Sequence, residues 1–445
     1  MLSKGYLSSL CLLLAVPVSE SIPFSSLFSK RDIDILDKRT TLPSIDGSGL
    51  RTGIHFTANS ACQIPSPDYG PMEHCPQSSV LVDPTLKHVS TDGSYETYKT
   101  IQAAIDAIPN TSRKWTILVM AGTYHEQLNV TRAGPLTILG QTYDPLDKSK
   151  NLVTVIGGTA NYNSRYTDNA FTSTLTVAPN LNASLTGAGP TGFTPPDDTP
   201  FGNTDFRVYN MDFRNTEFDI SNGPALAISI SRANAGLYFC GFYSYQDTVY
   251  IGKLGNAYFY RNEIAGQTDF LYGFGTAWIA YSKLLMRSCG GGVTAWKGTN
   301  TTFANTYGVY ISLSDVVAAN STIATSMVGR CALGRPWNYL HRSVFMDCYM
   351  DASIRAVGYI PWASNPAWNQ VVVPGQTLMG EYDSYGPGAN LAGRAQPQTQ
   401  NGVPVVVTTE LTGAQEKQYS TPAKVFMDPK GKLTSTWIDS QFYPY

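Results

Sequence analysis

Between residue 115 and about residue 350 the chain is a succession of short apolar runs separated by turn-rich stretches. The runs fall at 136–139, 153–156, 175–177, 206–213, 225–230, 237–242, 257–264, 277–285 and 344–349, and no long helical period intervenes. A β-sandwich would place turn signals about every 8 to 12 residues. Here the larger pattern recurs at roughly 20 to 30 residues, the spacing of stacked coils in a solenoid. The pattern predicts an all-β chain folded as a right-handed parallel β-helix. Upstream, Ile101, Ala104, Ile105 and Ile108 fall at i, i+3, i+4 and i+7, so a short helix over 97–108 caps the solenoid and Pro109 closes it. The run Trp115-Thr116-Ile117-Leu118-Val119-Met120 reads as a buried strand ended by Gly122. The Pro/Gly-rich tail from 385 onwards, with a strand expected at 405–408, would pack along the side.

The N-terminus departs from this pattern. Lys4 precedes the apolar run Leu10-Cys11-Leu12-Leu13-Leu14-Ala15-Val16, and small residues follow at Ser19 and Ser21. That run is too short to span a bilayer and reads as a signal peptide over 1–21. Residues 22–85 mix Pro, Ser and Gly without sustained periodicity and are expected to form a propeptide or a loosely structured segment. Lys30-Arg31 and Lys38-Arg39 read equally as processing sites or as exposed charge. The main domain is expected at 86–440. Only 14% of the 445 residues are charged and the net charge is −2. Such a balance carries no electrostatic footprint for nucleic acid or an anionic membrane. Beyond Cys11, six cysteines remain at 62, 75, 240, 289, 331 and 348, which permits disulfides without dictating their connectivity. N-x-S/T sequons stand at Asn110, Asn129, Asn182, Asn300 and Asn320, in keeping with a secreted glycoprotein.

Two tags stand out within the strand repeats, Gln246-Asp247-Thr248 and Gln267-Thr268-Asp269. Aligning Cys240-Gly241-Phe242 with Asn262-Glu263-Ile264 gives an offset of 22 residues, and the same offset carries Asp247 onto Asp269. If 22 residues make one coil, the two aspartates sit one rung apart, at roughly 4.7–4.9 Å. Two carboxylates that close cannot both ionise freely, so one can serve as an acid while the other stays a nucleophile or base. The alternative is a pair of turn aspartates bonding their own backbone. A further cue is Leu333-Gly334-Arg335-Pro336-Trp337. An arginine held between Gly and Pro is rigidly aimed, and its fork suits a carboxylate. Trp337 beside it, and Trp362 in Gly358-Tyr359-Ile360-Pro361-Trp362, offer flat faces for sugar rings. In Gly122-Thr123-Tyr124-His125-Glu126, Tyr124 and Glu126 are expected to brace strands and His125 to lie at the surface. No nucleophile elbow, phosphate-binding loop or zinc signature appears.

Taken in order, Gly122-Thr123-Tyr124-His125-Glu126, Gln246-Asp247-Thr248, Asp269-Phe270-Leu271-Tyr272-Gly273 and Leu333-Gly334-Arg335-Pro336-Trp337 resemble the signature stretches of the pectin methylesterases (pectinesterases). The resemblance extends over about residues 88–440 and suggests a secreted, fungal-like member. It implies a right-handed parallel β-helix, no metal or other cofactor, and hydrolysis of galacturonate methyl esters in pectin (methylated homogalacturonan) by a monomer. It makes Asp269 the nucleophile, Asp247 the acid and then the base, Gln246 an oxyanion donor, and Arg335 the group that holds Asp269 ionised. Trp337 and Trp362 would stack on sugars. One departure is Pro224 in Pro224-Ala225-Leu226-Ala227-Ile228, where the family usually carries a second oxyanion glutamine. Proline donates nothing, and losing one such donor costs roughly 10²–10³ in rate. Two other readings remain open on the sequence: a β-helix glycosidase or lyase acting on the same polymer, and a binding protein that has lost catalysis.

Overall fold

In the computed structural model, residues 58–187, 192–298, 306–362 and 370–443 are described. Three sheets of parallel strands, with twelve, eight and six strands, run the length of the molecule. The chain visits them in turn and climbs by one strand per circuit. Asn234–Tyr238, Gly241–Tyr243 and Val249–Ile251 make one coil, and Asn256–Tyr260, Glu263–Thr268 and Leu271–Gly273 the next. Strand-to-strand crossovers of this kind are right-handed, giving the right-handed parallel β-helix that the repeat pattern predicts. Across these coils Asn234 pairs with Asn256, Gly241 with Glu263 and Val249 with Leu271, so the 22-residue offset is one complete circuit.

Burial on both faces of the sheets explains the weak in–out alternation of the strands. Inside, Leu237, Phe242, Val249, Phe259, Ile264 and Leu271 belong to one continuous apolar core. Phe213 stacks on Phe242, with ring centroids 5.6 Å apart. At the corner between the twelve- and eight-stranded sheets, Phe239, Arg261 and Tyr281 take left-handed backbone conformations in successive coils. Side chains stacked beside them satisfy the freed backbone: Asn262 Oδ1 accepts from Cys240 N–H, Ser282 Oγ from Asn262 N–H, and Ser314 Oγ from Ser282 N–H. Outside the twelve-stranded sheet, Phe426, Trp437, Ile438 and Phe442 of the tail cover Tyr238, Tyr258 and Trp278.

Several boundaries differ from the sequence expectation. The capping helix spans Ile101–Ala107, shorter than 97–108. Thr97–Tyr98 instead pair with the strand Ser79–Val82, and Ile108 is extended ahead of Pro109, where the helical conformation is sterically disfavoured. Thr100 Oγ1 caps the helix through Ala103 N–H. The domain also begins before residue 86. Ser79–Val82 lies parallel to Trp115–Val119 in the twelve-stranded sheet, and the helix Ala58–Gln63 is tied by the Cys62–Cys75 disulfide. These pieces show no periodicity because each is a single short element with turns on either side. In the tail, the strand is Val403–Val405, antiparallel to Gln398–Gln400, and Thr409–Glu410 joins the twelve-stranded sheet. The expected signal peptide, the basic pairs and the Asn300 sequon lie outside the described residues. No helix among the described residues is long and apolar enough to cross a membrane.

Candidate active site

Asp247 and Asp269 follow consecutive strands of the eight-stranded sheet, at the corner leading to the six-stranded one. Asp247 N–H donates to Thr268 O at 3.1 Å, and Asp269 N–H to Gly292 O at 2.8 Å, so the two corners stack. Both residues have positive φ, 62° and 48°. Aspartate is among the few residues that tolerate this conformation, so the turn chemistry is real. It does not account for the side chains, which are not solvated: Asp247 is 8% exposed and Asp269 7%.

Arg335 supplies the missing partner from 66 residues downstream. Its Nε donates to Asp269 Oδ1 at 2.9 Å and its Nη2 to Oδ2 at 2.7 Å, a two-armed fork. Three features aim it. Arg335 N–H donates to Thr294 O at 3.0 Å. The Trp362 ring lies under the guanidinium, 3.6 Å from its centroid. The Cys289–Cys331 disulfide fastens the arginine loop to the strand Lys283–Gly290. Gly291 makes the close approach possible. Its φ is +60°, and a Cβ there would stand 2.4 Å from Asp269 Oδ1 and 2.9 Å from Arg335 Nη2.

Burial pushes both carboxyls above the usual aspartate range, but not equally. For Asp247 the shift is large, driven first by desolvation and then by the charge of Asp269. For Asp269 desolvation is opposed by the charge and hydrogen bonds of Arg335. These opposing influences favour the proton on Asp247 and the charge on Asp269.

Gln246 and Gln267 are oriented by one loop. Gln246 Oε1 accepts from Ser221 Oγ at 2.9 Å and Gly223 N–H at 3.1 Å, and Gln267 Oε1 accepts from Ser221 N–H at 3.2 Å. Backbone N–H groups only donate, so both side-chain oxygens are held at the loop and both amide N–H₂ groups turn away from it. The Gln267 side chain reaches over Gly290, with Nε2 3.4 Å from where a Cβ would be, next to the Gly291 contact with Asp269. The sequence pairs Gln267 with Gln246 as a tag, but nothing in it reveals their common anchor on residues 221–223. Pro224 offers only its carbonyl, which accepts from Asn161 N–H at 2.8 Å.

Trp337 and Trp362 share an apolar cluster with Leu226, Tyr250, Tyr272 and Phe274. Neither ring is bare on both faces. Lys297 Nζ lies 3.3 Å from the Trp337 centroid, and burial and the neighbouring Lys253 push its pKa down to about 6. Away from this site, Glu126 receives the N–H groups of Ile101 and Gln102 at the capping helix, Tyr124 hydroxyl donates to Met120 O, and His125 is exposed. Tyr124 and Glu126 brace the fold and His125 lies at the surface, as expected. Among the described residues no group of three or more His, Cys, Asp or Glu could hold a metal ion.

The family model described as Pectinesterase matches residues 199–413, which contain both aspartates, both glutamines, Arg335 and both tryptophans. The chain resembles the pectinesterase family over that span. Among curated relatives, "Probable pectinesterase A" of Aspergillus fumigatus is 28% identical over 325 residues, covering 73% of this chain and 86% of the relative. "Pectinesterase A" of Emericella nidulans is 27% identical over 273 residues, covering 61% and 73%. Among solved structures, the pectin methylesterase from Aspergillus niger has a TM-score of 0.58 at 23% identity, covering 83% of this chain and 98% of that one. A pectin methylesterase in complex with hexasaccharide VII has a TM-score of 0.57 at 23% identity, covering 81% and 99%. At such identities the likeness to these structures concerns the fold.

Proposed function

We propose that this chain is a carboxylic ester hydrolase that removes methyl groups from galacturonate units of pectin, releasing methanol. The observation that carries this is the two-armed Arg335 fork on Asp269, beside a second buried carboxyl that retains its proton. Asp269 attacks the ester carbonyl carbon. The oxyanion that forms accepts hydrogen bonds from the Gln246 and Gln267 amides, so that Gln267 takes the part for which Pro224 has no donor. Asp247 gives its proton to the departing methoxy oxygen as methanol leaves, and an acyl–Asp269 anhydride remains. Asp247, now a carboxylate, takes a proton from water as the water oxygen attacks the same carbonyl. The Asp269–acyl bond breaks, restoring the Asp269 carboxylate, and the product acid ionises in water.

A glycosidase would also use paired carboxylates. Carboxamides aimed at a developing oxyanion suit acyl transfer better, because a glycosyl transition state carries positive charge at the sugar carbon. Trp337 and Trp362 are assigned to sugar contacts on the ring faces that Lys297 and Arg335 leave open. The enzyme is proposed to act as a secreted monomer on methylated homogalacturonan. Methanol release from methylated pectin, measured beside new reducing ends and unsaturated products, tests the reaction. Methanol alone is expected, and it should vanish in a folded Asp269→Asn. Reducing ends without methanol, or undiminished activity in the variant, would overturn the proposal.

A further inference from the structure

Next to the arginine loop lies a buried polar cluster that the proposed reaction does not use. Thr294, His341, Ser343 and Tyr359 are each 0% exposed. His341 Nδ1 stands 3.0 Å from Trp296 N and 3.1 Å from Trp296 O. The backbone N–H can only donate, so Nδ1 accepts and the ring proton sits on Nε2, 2.7 Å from Ser343 Oγ. Burial pushes the pKa of this imidazole down to about 3, so the ring is neutral. The same Ser343 oxygen lies 2.8 Å from the Tyr359 hydroxyl and 3.2 Å from Thr294 Oγ1. A serine bonded to a histidine has the makings of a nucleophile and base. At 0% exposure, however, no ester can reach this pair.

Each of the three partners of Ser343 leads to a different support of Arg335. Thr294 Oγ1 donates to Leu333 O at 3.1 Å, and Thr294 O accepts from Arg335 N–H at 3.0 Å. One residue thus holds the chain on both sides of Gly334. His341 fastens the far end of the arginine loop to Trp296. Between them Asn338 Oδ1 accepts from Gly298 N–H at 3.1 Å, and its Nδ2 donates to Gly298 O at 2.8 Å. Tyr359 opens the stretch carrying Trp362, whose ring lies under the Arg335 guanidinium, and Ile360 N–H donates to Gly334 O at 3.0 Å. The strand that receives the loop, Thr294–Trp296, runs parallel to Leu271–Gly273, which follows Asp269. Buried hydrogen-bond networks rigidify the elements they join.

We propose that Ser343 and His341 are positioning residues for Arg335, joining the arginine loop, its supporting strand and the Trp362 stretch so that the guanidinium keeps its two-armed contact with Asp269. This rests on the roles given to Arg335 and Asp269 in the esterase function proposed above. Without the Ser343 hydroxyl, three polar groups lose their common partner and the fork loosens. Asp269 faces two charged groups, Arg335 and Asp247, and Arg335 is the one tied to this cluster. An arginine beside an aspartate lowers its pKa by about 1–3 units, and a looser fork gives up part of that.

The test follows kcat and KM for methanol release against pH in wild type and Ser343→Ala, well below the melting temperature of either. In the variant kcat should fall on the order of tenfold, less than the roughly 10²-fold of a full 1 Å displacement, with KM unchanged. The acid limb of kcat should move up by about one pH unit, because Asp269 must be ionised to attack. If Ser343→Ala does not fold, Tyr359→Phe removes one partner of Ser343 and should move both quantities the same way by less. Ser282→Ala, which loses a buried hydroxyl at the distant corner, should melt lower yet keep the wild-type kcat and acid limb. An unchanged kcat and acid limb in folded Ser343→Ala, or an equal shift in Ser282→Ala, overturns the positioning role. A second arm titrates the Asp269 carboxyl by 13C nuclear magnetic resonance with labelled aspartate, assigned by its loss in Asp269→Asn. A midpoint about one unit higher in Ser343→Ala supports the proposal, and equal midpoints refute it. Wild type that releases no methanol would refute the esterase function, and the titration would still decide the positioning role.

Discussion

Replacing Gly291 by alanine adds one methyl group where the site is tightest. The new Cβ would lie 2.4 Å from Asp269 Oδ1, whereas non-bonded heavy atoms settle near 3.5 Å, so the carboxylate must retreat by about 1 Å. It cannot retreat freely, because Asp269 N–H is bonded to Gly292 O and both carboxylate oxygens are gripped by Arg335. A displacement of that size at a reacting atom costs on the order of 10²-fold in rate. The backbone contributes separately, since φ at Gly291 is +60° and an alanine there loses about 1–2 kcal/mol. Gly329 separates the two effects: its φ is +66° and a Cβ there meets nothing within 4 Å. Gly329→Ala should therefore lower the melting temperature by a similar few degrees while leaving turnover near wild type. Steady-state methanol release, with thermal melts of both variants, makes the comparison. A Gly291→Ala protein that folds and keeps kcat within threefold of wild type would refute the claim that the Asp269–Arg335 geometry sets the rate.

Asp247→Asn should abolish turnover and yet raise stability at neutral pH. The unfolded chain releases this proton near the ordinary aspartate value and the folded chain only at higher pH. Between the two values the folded state binds more protons, so wild-type stability declines as pH rises, and the variant escapes that decline. Melts of both proteins from pH 4 to pH 7 should diverge upwards; parallel curves would contradict a protonated Asp247. Gln246→Ala and Gln267→Ala should each lower kcat about 10²-fold with little change in KM. Wild-type kcat in Gln267→Ala would remove Gln267 from the mechanism. Breaking Cys289–Cys331 with a double serine variant opens a loop whose ends are 42 residues apart, worth about 4 kcal/mol on chain-entropy grounds. Activity should melt well before the far-ultraviolet dichroism does; coincident loss would assign the disulfide to global stability alone.

Much of this was legible in the chain itself. A coil must return each apolar side chain to the core, so the 22-residue offset between Cys240-Gly241-Phe242 and Asn262-Glu263-Ile264 was written in the spacing, and it implied that Asp247 and Asp269 stack. The capping helix showed through its period of 3.6. The segment 58–85 did not show, because a two-turn helix, a disulfide and one strand are each too short to establish a period. Residue type and spacing therefore determined the architecture, the candidate acids and an arginine worth noticing. The resemblance already named Asp247 as the acid, but the physical reason for it lies only in three dimensions. That outcome depends on desolvation at both carboxyls and on an Arg335 fork reaching back across 66 residues. The same holds for the common anchor of Gln246 and Gln267 and the gap that Gly291 leaves open. Each depends on distances between coils of unequal length, and linear spacing carries no record of those distances.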